Sequence, residues 1–356
     1  MDAVFFAVGI FLLALAFWDI FETVVVPRPT PGWFRIGRYV VRGSWRVLRA
    51  AMNGRPGPTR DRILGLFAPA MSIALLGSWL LALILGYGLI FFALRDELRP
   101  VPPDLGTAMY FAATSILTLG FGDIVADGML ARFFITIAAV SGLGAVALVV
   151  TFLFSLFGSY QRREVEVVAL QAAAGAPPSA VALLENYAQL DLLGRLPDLF
   201  LLWQHWAVEV LDSHVAYPLL GFFRSSHDNL SWISALGSVL DTASLVLTTI
   251  EGVPRGEAKL FKRVGTHLVE DIYNLGFTDG QQSSLDRGSF ELVCDRLEDA
   301  GFVLAPRDAA WPAFEAARAT YATRLEAMAS YWATPATSWL GDPVALRAPL
   351  HPQNDP

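Results

Sequence analysis

Three predominantly apolar stretches, Val4 to Val26, Leu64 to Leu94 and Met129 to Phe157, fill about half of the first 157 residues. Each exceeds the about 20 residues that cross a roughly 30 Å hydrocarbon core at about 1.5 Å per residue. Backbone groups in hydrocarbon must satisfy their own hydrogen bonds, so such stretches fold as helices. The first has no basic residues ahead of it (Met1, Asp2) and runs into Val-Val-Pro instead of a small-residue cleavage site, so it is expected to be retained as a span. Composition agrees: of 356 residues, 54% are hydrophobic and 17% charged, against about 25% charged in soluble domains. The single cysteine, Cys294, leaves no pair for an intrachain disulfide or a Cys-rich zinc site.

Charge divides the chain. Residues 1–160 carry 12 Arg against 9 acidic residues, whereas 161–356 carry 14 Lys and Arg against 24 acidic residues. Nothing in the second half suggests nucleic-acid binding. Within the first half, 28–62 holds nine Arg and one acid, and 95–104 holds two Arg and three acids. Basic residues mark cytoplasmic loops, which puts the N-terminus and 95–128 outside and everything after about Gln161 inside. Arg35, Arg38, Arg42, Arg46 and Arg49 step by 3 and 4, with Trp33, Ile36, Tyr39, Val40 and Val47 elsewhere, the pattern of a helix lying in the membrane interface. Asp19 and Glu22, near the inner end of the first span, need partners at that depth; Arg residues of this basic helix or snorkelling to the interface would serve, and proton sensing is the alternative.

Between the second and third spans lies Gly106-Thr-Ala-Met-Tyr-Phe-Ala-Ala-Thr-Ser-Ile-Leu-Thr-Leu-Gly-Phe-Gly-Asp123. The apolar run 107–117 is too short to span and ends in an alternating Gly-Phe-Gly, which suits a re-entrant loop. Such backbone is tolerated at membrane depth where protein buries it or it lines a watery path. Gly120 and Gly122 accept backbone angles that residues with a Cβ resist, so successive carbonyls can turn toward one axis. Ser115-Ile-Leu-Thr118-Leu119-Gly120-Phe121-Gly122-Asp123 resembles the selectivity filter of the potassium channel family, T-x-x-T-V-G-Y-G-D, behind an apolar pore helix. The resemblance covers roughly 64–157. It implies a K⁺-binding filter of Thr118, Leu119, Gly120, Phe121 and Gly122, with sites made by the carbonyls of Thr118, Leu119, Gly120 and Phe121 and the Thr118 hydroxyl, and Asp123 at the outer mouth. Tyr110 and Phe111 stand where family members carry bracing aromatics. Leu119, Phe121 and Ser115 replace Val, Tyr and Thr of the pattern; Phe121 brings no phenolic hydroxyl behind the filter.

Rings of carbonyls of this kind are built from four loops around one axis, and one chain supplies one loop, so the resemblance implies a homotetramer. The second span then corresponds to an outer helix and the third to a pore-lining inner helix, with the first span an addition. Gly142 and Gly144 fall where inner helices of the family hinge, or serve close packing. Phe154 and Phe157, with Phe152, are candidates for a hydrophobic gate or for packing.

Beyond Gln161 the apolar residues repeat with a helical period. Helices are expected at Arg163–Ala174, Ser179–Leu193, Asp198–Asp212, Leu230–Ile250, Glu257–Leu275, Asp286–Ala300 and Ala309–Tyr331, with Ser179 and Asp198 as N-caps. Leu230–Ile250, which contains Asp241 and seven Ser or Thr, reads as a buried helix of a water-exposed domain. No strand followed by G-x-G-x-x-G appears, which argues against a dinucleotide-binding regulator. His205, Glu209, Asp212 and His214 match no metal spacing, and no catalytic constellation is visible, so an enzyme is not expected.

The expectation is an all-α membrane protein: a first transmembrane helix (1–27), a basic interfacial segment (28–62), a pore domain (63–160), a helical cytoplasmic domain (161–333) and a flexible tail (334–356). Its partners are the lipid bilayer, K⁺ and its own copies; it needs no cofactor beyond K⁺ in the filter, and its gating ligand is not identified by the sequence. The predominance of Arg, 24 of the 26 basic residues, and the resemblance suggest a prokaryotic plasma membrane. A weakly selective cation channel and a non-conducting membrane-anchored sensor or scaffold are the alternatives.

Overall fold

A computed structural model describes residues 2–26, 36–55, 57–227, 229–277, 285–334 and 338–346. The chain divides into two units, Met1–Phe157 and Gly158–Pro356.

The first unit begins with α1 (Asp2–Ile20), which passes into a π-helical turn, Phe21–Val25. It continues with α2 (Ile36–Ala51), α3 (Gly57–Gly65), α4 (Phe67–Ala93), strand β1 (Leu98–Arg99), α5 (Leu105–Ile116), strand β2 (Val125–Ala126) and α6 (Met129–Ala174). Among the described residues, three helical segments are long and apolar enough to cross a membrane: Asp2–Val24, Thr59–Ala93 and Met129–Ala174. α1 and α4 meet at glycines. A Cβ on Gly9 would collide with the Gly86 carbonyl oxygen and Ile90, and one on Gly86 with Leu13. Where lipid removes the hydrophobic drive between helices, such small residues let backbones pack closely. One end of this pair carries the Arg95–Asp2 ion pair at 2.9 Å. Nearer the other end, the Trp79 indole N–H donates to Asp19 at 2.7 Å. The partner the structure gives Asp19 is therefore an indole of α4, where the sequence suggested an arginine.

α2 rests on α4 through Trp45, fully buried with its ring 4.9 Å from that of Phe67, and leaves Val40 and Val47 exposed. Trp33 and Arg35 lie outside the described residues, as do the side chains of Ile36, Arg38 and Tyr39.

In the second unit α6 ends and is followed by α7 (Ala180–Gln189), α8 (Leu196–Ala216), α9 (Trp232–Thr248), α10 (Gly256–Asn274), α11 (Arg287–Asp299), α12 (Arg307–Ala319), α13 (Ala322–Tyr331) and α14 (Pro343–Leu346). α9 is its centre: every residue from Trp232 to Val246 is buried. Asp241 on this helix pairs with Arg318 at 3.2 Å and receives the Tyr321 hydroxyl. The Ser179 hydroxyl caps α7, as the sequence suggested.

Three sequence expectations need correction. No break follows Phe157: α6 runs unbroken to Ala174, absorbing the helix placed at Arg163–Ala174. Residues 158–162 contain no proline, and Ser159, Arg163, Val167, Leu170 and Ala174 recur at helical spacing and are buried. Asp198 is not an N-cap; Pro197 starts α8 in its first turn, and Asp198 pairs with Arg195 at 3.2 Å. The helix expected over Ala309–Tyr331 is two, because the chain turns at Thr320–Tyr321 to carry Tyr321 to Asp241.

The tail assigned to 334–356 as flexible is packed over 338–346; 347–356 lie outside the described residues. Trp339 is buried against Gly237 of α9, with the Arg318 guanidinium 5.5 Å from its ring centre. The Trp339 and Leu340 carbonyls accept the Ala180 and Val181 N–H groups at 2.8 and 3.1 Å, which satisfies open donors in the first turn of α7. Trp339→Ala is expected to remove about 3–5 kcal/mol of packing, read as a lower urea midpoint of the full chain together with fast hydrogen exchange at Ala180 and Val181.

His214 is buried within a polar node on α6. Arg163 donates to the Leu220 and Phe223 carbonyls at 2.9 and 2.8 Å and to Glu164 at 3.0 Å, and its fourth contact is His214 Nε2 at 3.2 Å. Nδ1 of His214 lies 2.9 Å from the Val210 carbonyl, which assigns the ring proton to Nδ1. Burial, and then the Arg163 charge, push this imidazole down to about 3. The unfolded chain binds a proton near pH 6.5 that the folded chain refuses until near pH 3, so this contribution to stability is present above pH 6.5 and is lost as pH falls. At pH 5 the loss is about 2 kcal/mol. Urea titrations at pH 7 and pH 5 should show that extra loss in the unaltered chain and not in His214→Gln.

Candidate ion-conduction site

The re-entrant segment starts where Asp104 caps α5, accepting the Thr107 N–H at 2.8 Å and its hydroxyl at 3.1 Å. These hydrogen bonds hold the Asp104 carboxyl below its usual range. α5 is seated by Phe111, edge-on to Phe91 at 4.9 Å, by Met109 over Gly88, and by Ile116, whose carbonyl lies where a Cβ of Gly142 would be. The Thr114 and Ser115 hydroxyls both turn back to the Phe111 carbonyl, at 3.0 and 2.7 Å. Ser115 therefore braces the pore helix internally.

At Leu117 the helix ends, and the loop that follows has a defined hand. Thr118, Gly120 and Gly122 have positive φ, 55°, 59° and 80°, and alternate with Leu119 and Phe121. An alternation in the sign of φ lets neighbouring N–H groups converge on one side. The N–H groups of Leu119 and Gly120 both reach the Thr114 carbonyl, at 2.8 and 3.4 Å, on the pore-helix side. The loop follows the C-terminal end of α5, the negative end of its dipole, which favours a cation there. Residues 117–123 are all exposed on the single chain; Phe121 is 66% exposed.

Of the bracing aromatics, Phe111 is buried and Tyr110 stands beside the loop. The Tyr110 ring is parallel to that of Phe121, 8° apart with centroids at 6.5 Å, and the neighbouring Asp123 carboxylate pushes the pKa of its hydroxyl up. A phenol on α5 thus stands beside the loop although residue 121 has none.

The mouth is tied to α6 by Glu97, a residue that sequence reasoning passed over. β1 and β2 pair antiparallel, Leu98 with Ala126 and Arg99 with Val125. Beside them the Glu97 carbonyl accepts the N–H groups of Asp127 and Gly128, at 2.8 and 3.1 Å. Its carboxylate accepts the Ala131 N–H at 2.9 Å, capping α6. A side chain at 128 would occupy the place of that carboxylate, which explains the glycine.

Gly142 and Gly144 separate in role. The first is a contact point with the pore helix, and the second has open space around its missing Cβ. α6 is continuous through both. Phe154 and Phe157 are exposed on the single chain, whereas Phe152 is buried, edge-on to Trp79 at 6.5 Å. In the second unit, no group of three His, Cys, Asp or Glu among the described residues is placed to hold a metal ion. His205 and Glu209 are exposed, and His267 pairs with Asp271 at 3.4 Å.

Two membrane-capable helices flank a short helix and a left-handed loop, the arrangement of a pore-loop membrane protein. A family model described as "Ion channel" matches residues 70–159. That segment belongs to the ion channel family, and the chain is an all-α membrane protein carrying an ion channel domain. No curated protein and no solved structure matches the chain. α1 and α2, and everything from Tyr160 on, fall outside the matched segment.

Gly142→Ala is expected to destabilise the folded protein by about 1–3 kcal/mol through overpacking on Ile116, and Gly144→Ala to change it by less than about 0.5 kcal/mol. Thermal unfolding of both variants in detergent separates packing at 142 from freedom at 144.

Proposed function

We propose that four copies of the chain surround a common axis lined by Thr118–Gly122 and conduct K⁺ passively across the plasma membrane. The observation that carries this reading is the alternating hand at Thr118, Gly120 and Gly122, with the Leu119 and Gly120 N–H groups drawn back to Thr114. It leaves the carbonyls of Thr118, Leu119, Gly120 and Phe121, with the Thr118 hydroxyl, to replace the hydration shell of a dehydrated cation.

Four copies follow from exposure. A non-helical loop at membrane depth must be covered by protein or line a water path, and one chain leaves 117–123 exposed. α6 is likewise apolar yet mostly uncovered on the single chain. In the tetramer α6 lines the inner pore, where Phe154 and Phe157 form a constriction that closes by dewetting. Asp123, beside Tyr110, stands at the outer mouth. The surplus of Arg in 28–62 puts that segment and the second unit on the cytoplasmic side and the N-terminus outside.

Liposomes containing the purified protein should release K⁺ down its gradient, with much slower Na⁺ flux. Gly120→Ala, which forces a Cβ onto a residue at φ 59°, should abolish the K⁺ flux while leaving the oligomer intact by size-exclusion light scattering. Equal K⁺ and Na⁺ flux would make this a weakly selective cation channel, in keeping with the missing hydroxyl at Phe121. No flux of either ion, also after truncation near Gly175, would favour the non-conducting sensor.

A further inference from the structure

The part of α6 that belongs to the second unit has two unlike faces. Ser159, Arg163, Val167, Leu170 and Ala174, stepping by 4, 4, 3 and 4, are buried in their own unit. On the other side Gln161, Val165, Val168 and Ala172 step by 4, 3 and 4, so they too share one face. Gln161, Val165 and Ala172 are exposed and Val168 is half-buried; Val165 is 63% exposed. The face carries no charge, in a half of the chain with 24 acidic residues.

We infer that this face, residues 161–172, packs against the same face of neighbouring copies as a parallel, in-register helix bundle. The inference rests on the tetrameric reading above. Lipid is a poor occupant, because Arg162, Arg163, Glu164 and Glu166 place four charges in five residues of the same helix, and charges at membrane depth are costly. An unrelated partner is not needed: α6 is one continuous helix from Met129, so any assembly that gathers four copies of its first half brings four copies of its continuation along in the same direction. Steps of 4 and 3 with Val at two core positions are the pattern that seats knobs into holes between parallel helices. Arg162, next to Gln161, borders the face on one side, where charged residues flank such a seam.

The chain supplies its own clean background for a test. Cys294 is buried, and burial pushes its thiol up to about 11, so a cysteine placed at 165 is the reactive one. Full-length Val165→Cys in detergent, oxidised with copper phenanthroline, should give a disulfide-linked dimer as its main band. Lys259→Cys, exposed on α10, should give severalfold less, and Val168→Cys should behave like Val165→Cys. Val165→Glu, which gathers like charges at the seam, should lower the temperature at which the tetramer dissociates, while Val165→Leu should not. If native mass spectrometry shows tetramers and Val165→Cys cross-links no better than Lys259→Cys, the bundle is wrong and the pore reading stands. If the unaltered protein is not tetrameric, both fall.

Discussion

One carbonyl oxygen does much of the organising in the channel unit. At the end of α5, where helical partners run out, the Thr114 carbonyl accepts the N–H groups of both Leu119 and Gly120. Two donors that would otherwise be stranded in a membrane are satisfied at once, and the loop is thereby committed to alternating hand. The left-handed residues follow from it, and so does the need for glycine at 120 and 122. Thr118 takes the same conformation at φ 55° in spite of its branched side chain, which is tolerated where the surroundings over-determine it. Everything else in the unit steadies the helix that presents this carbonyl: Asp104 at its start, Phe91 and Gly88 at its flank, Gly142 at its end.

Much of this was legible in the sequence because it is local. Apolar runs of span length, a shorter run that cannot span, and glycines two residues apart each constrain their own few residues. What sequence reading missed is carried by backbone atoms or by distant pairs. The Thr114 oxygen has no side-chain signature. Glu97 works on a residue 34 positions away, and its acidity read simply as loop charge. The end of α6 was misplaced because hydrophobicity stops near Phe157 while the helical repeat does not. Trp339 sits in a stretch whose prolines and polar residues suggest an unstructured tail, and its fixed position depends on the space left by Gly237, about a hundred residues earlier. At Asp19 the need for a partner was visible and its identity was not, since an indole donor answers a carboxylate as well as a guanidinium does.

The segment that matches the ion channel family begins at residue 70, so α1 is an addition to it, joined closely. Gly9 and Gly86 bring the α1 and α4 backbones together, and hydrogen-bonded or charged pairs stand toward either end, Asp2 with Arg95 and Asp19 with Trp79. Phe5 and Phe6 add edge-on contacts to Phe92 of α4 and Phe134 of α6, at 5.3 and 5.4 Å. A helix held at both ends and in the middle behaves as part of the scaffold around the pore helix.

Glu97 gives α6 a fixed end. Its carboxylate holds the first turn while its carbonyl holds the two residues before it, so this end of a 46-residue helix is fastened to the outer loop and not simply embedded. A long rod fastened at one end converts a small tilt into a displacement that grows with distance from the fulcrum. The loop 118–122 lies near the fulcrum and is little affected by such tilting, whereas Phe154 and Phe157 lie further along the rod and move more. In the proposed tetramer, ion coordination and pore width would thereby be separated along one helix, and the width could change while the ion sites keep their geometry.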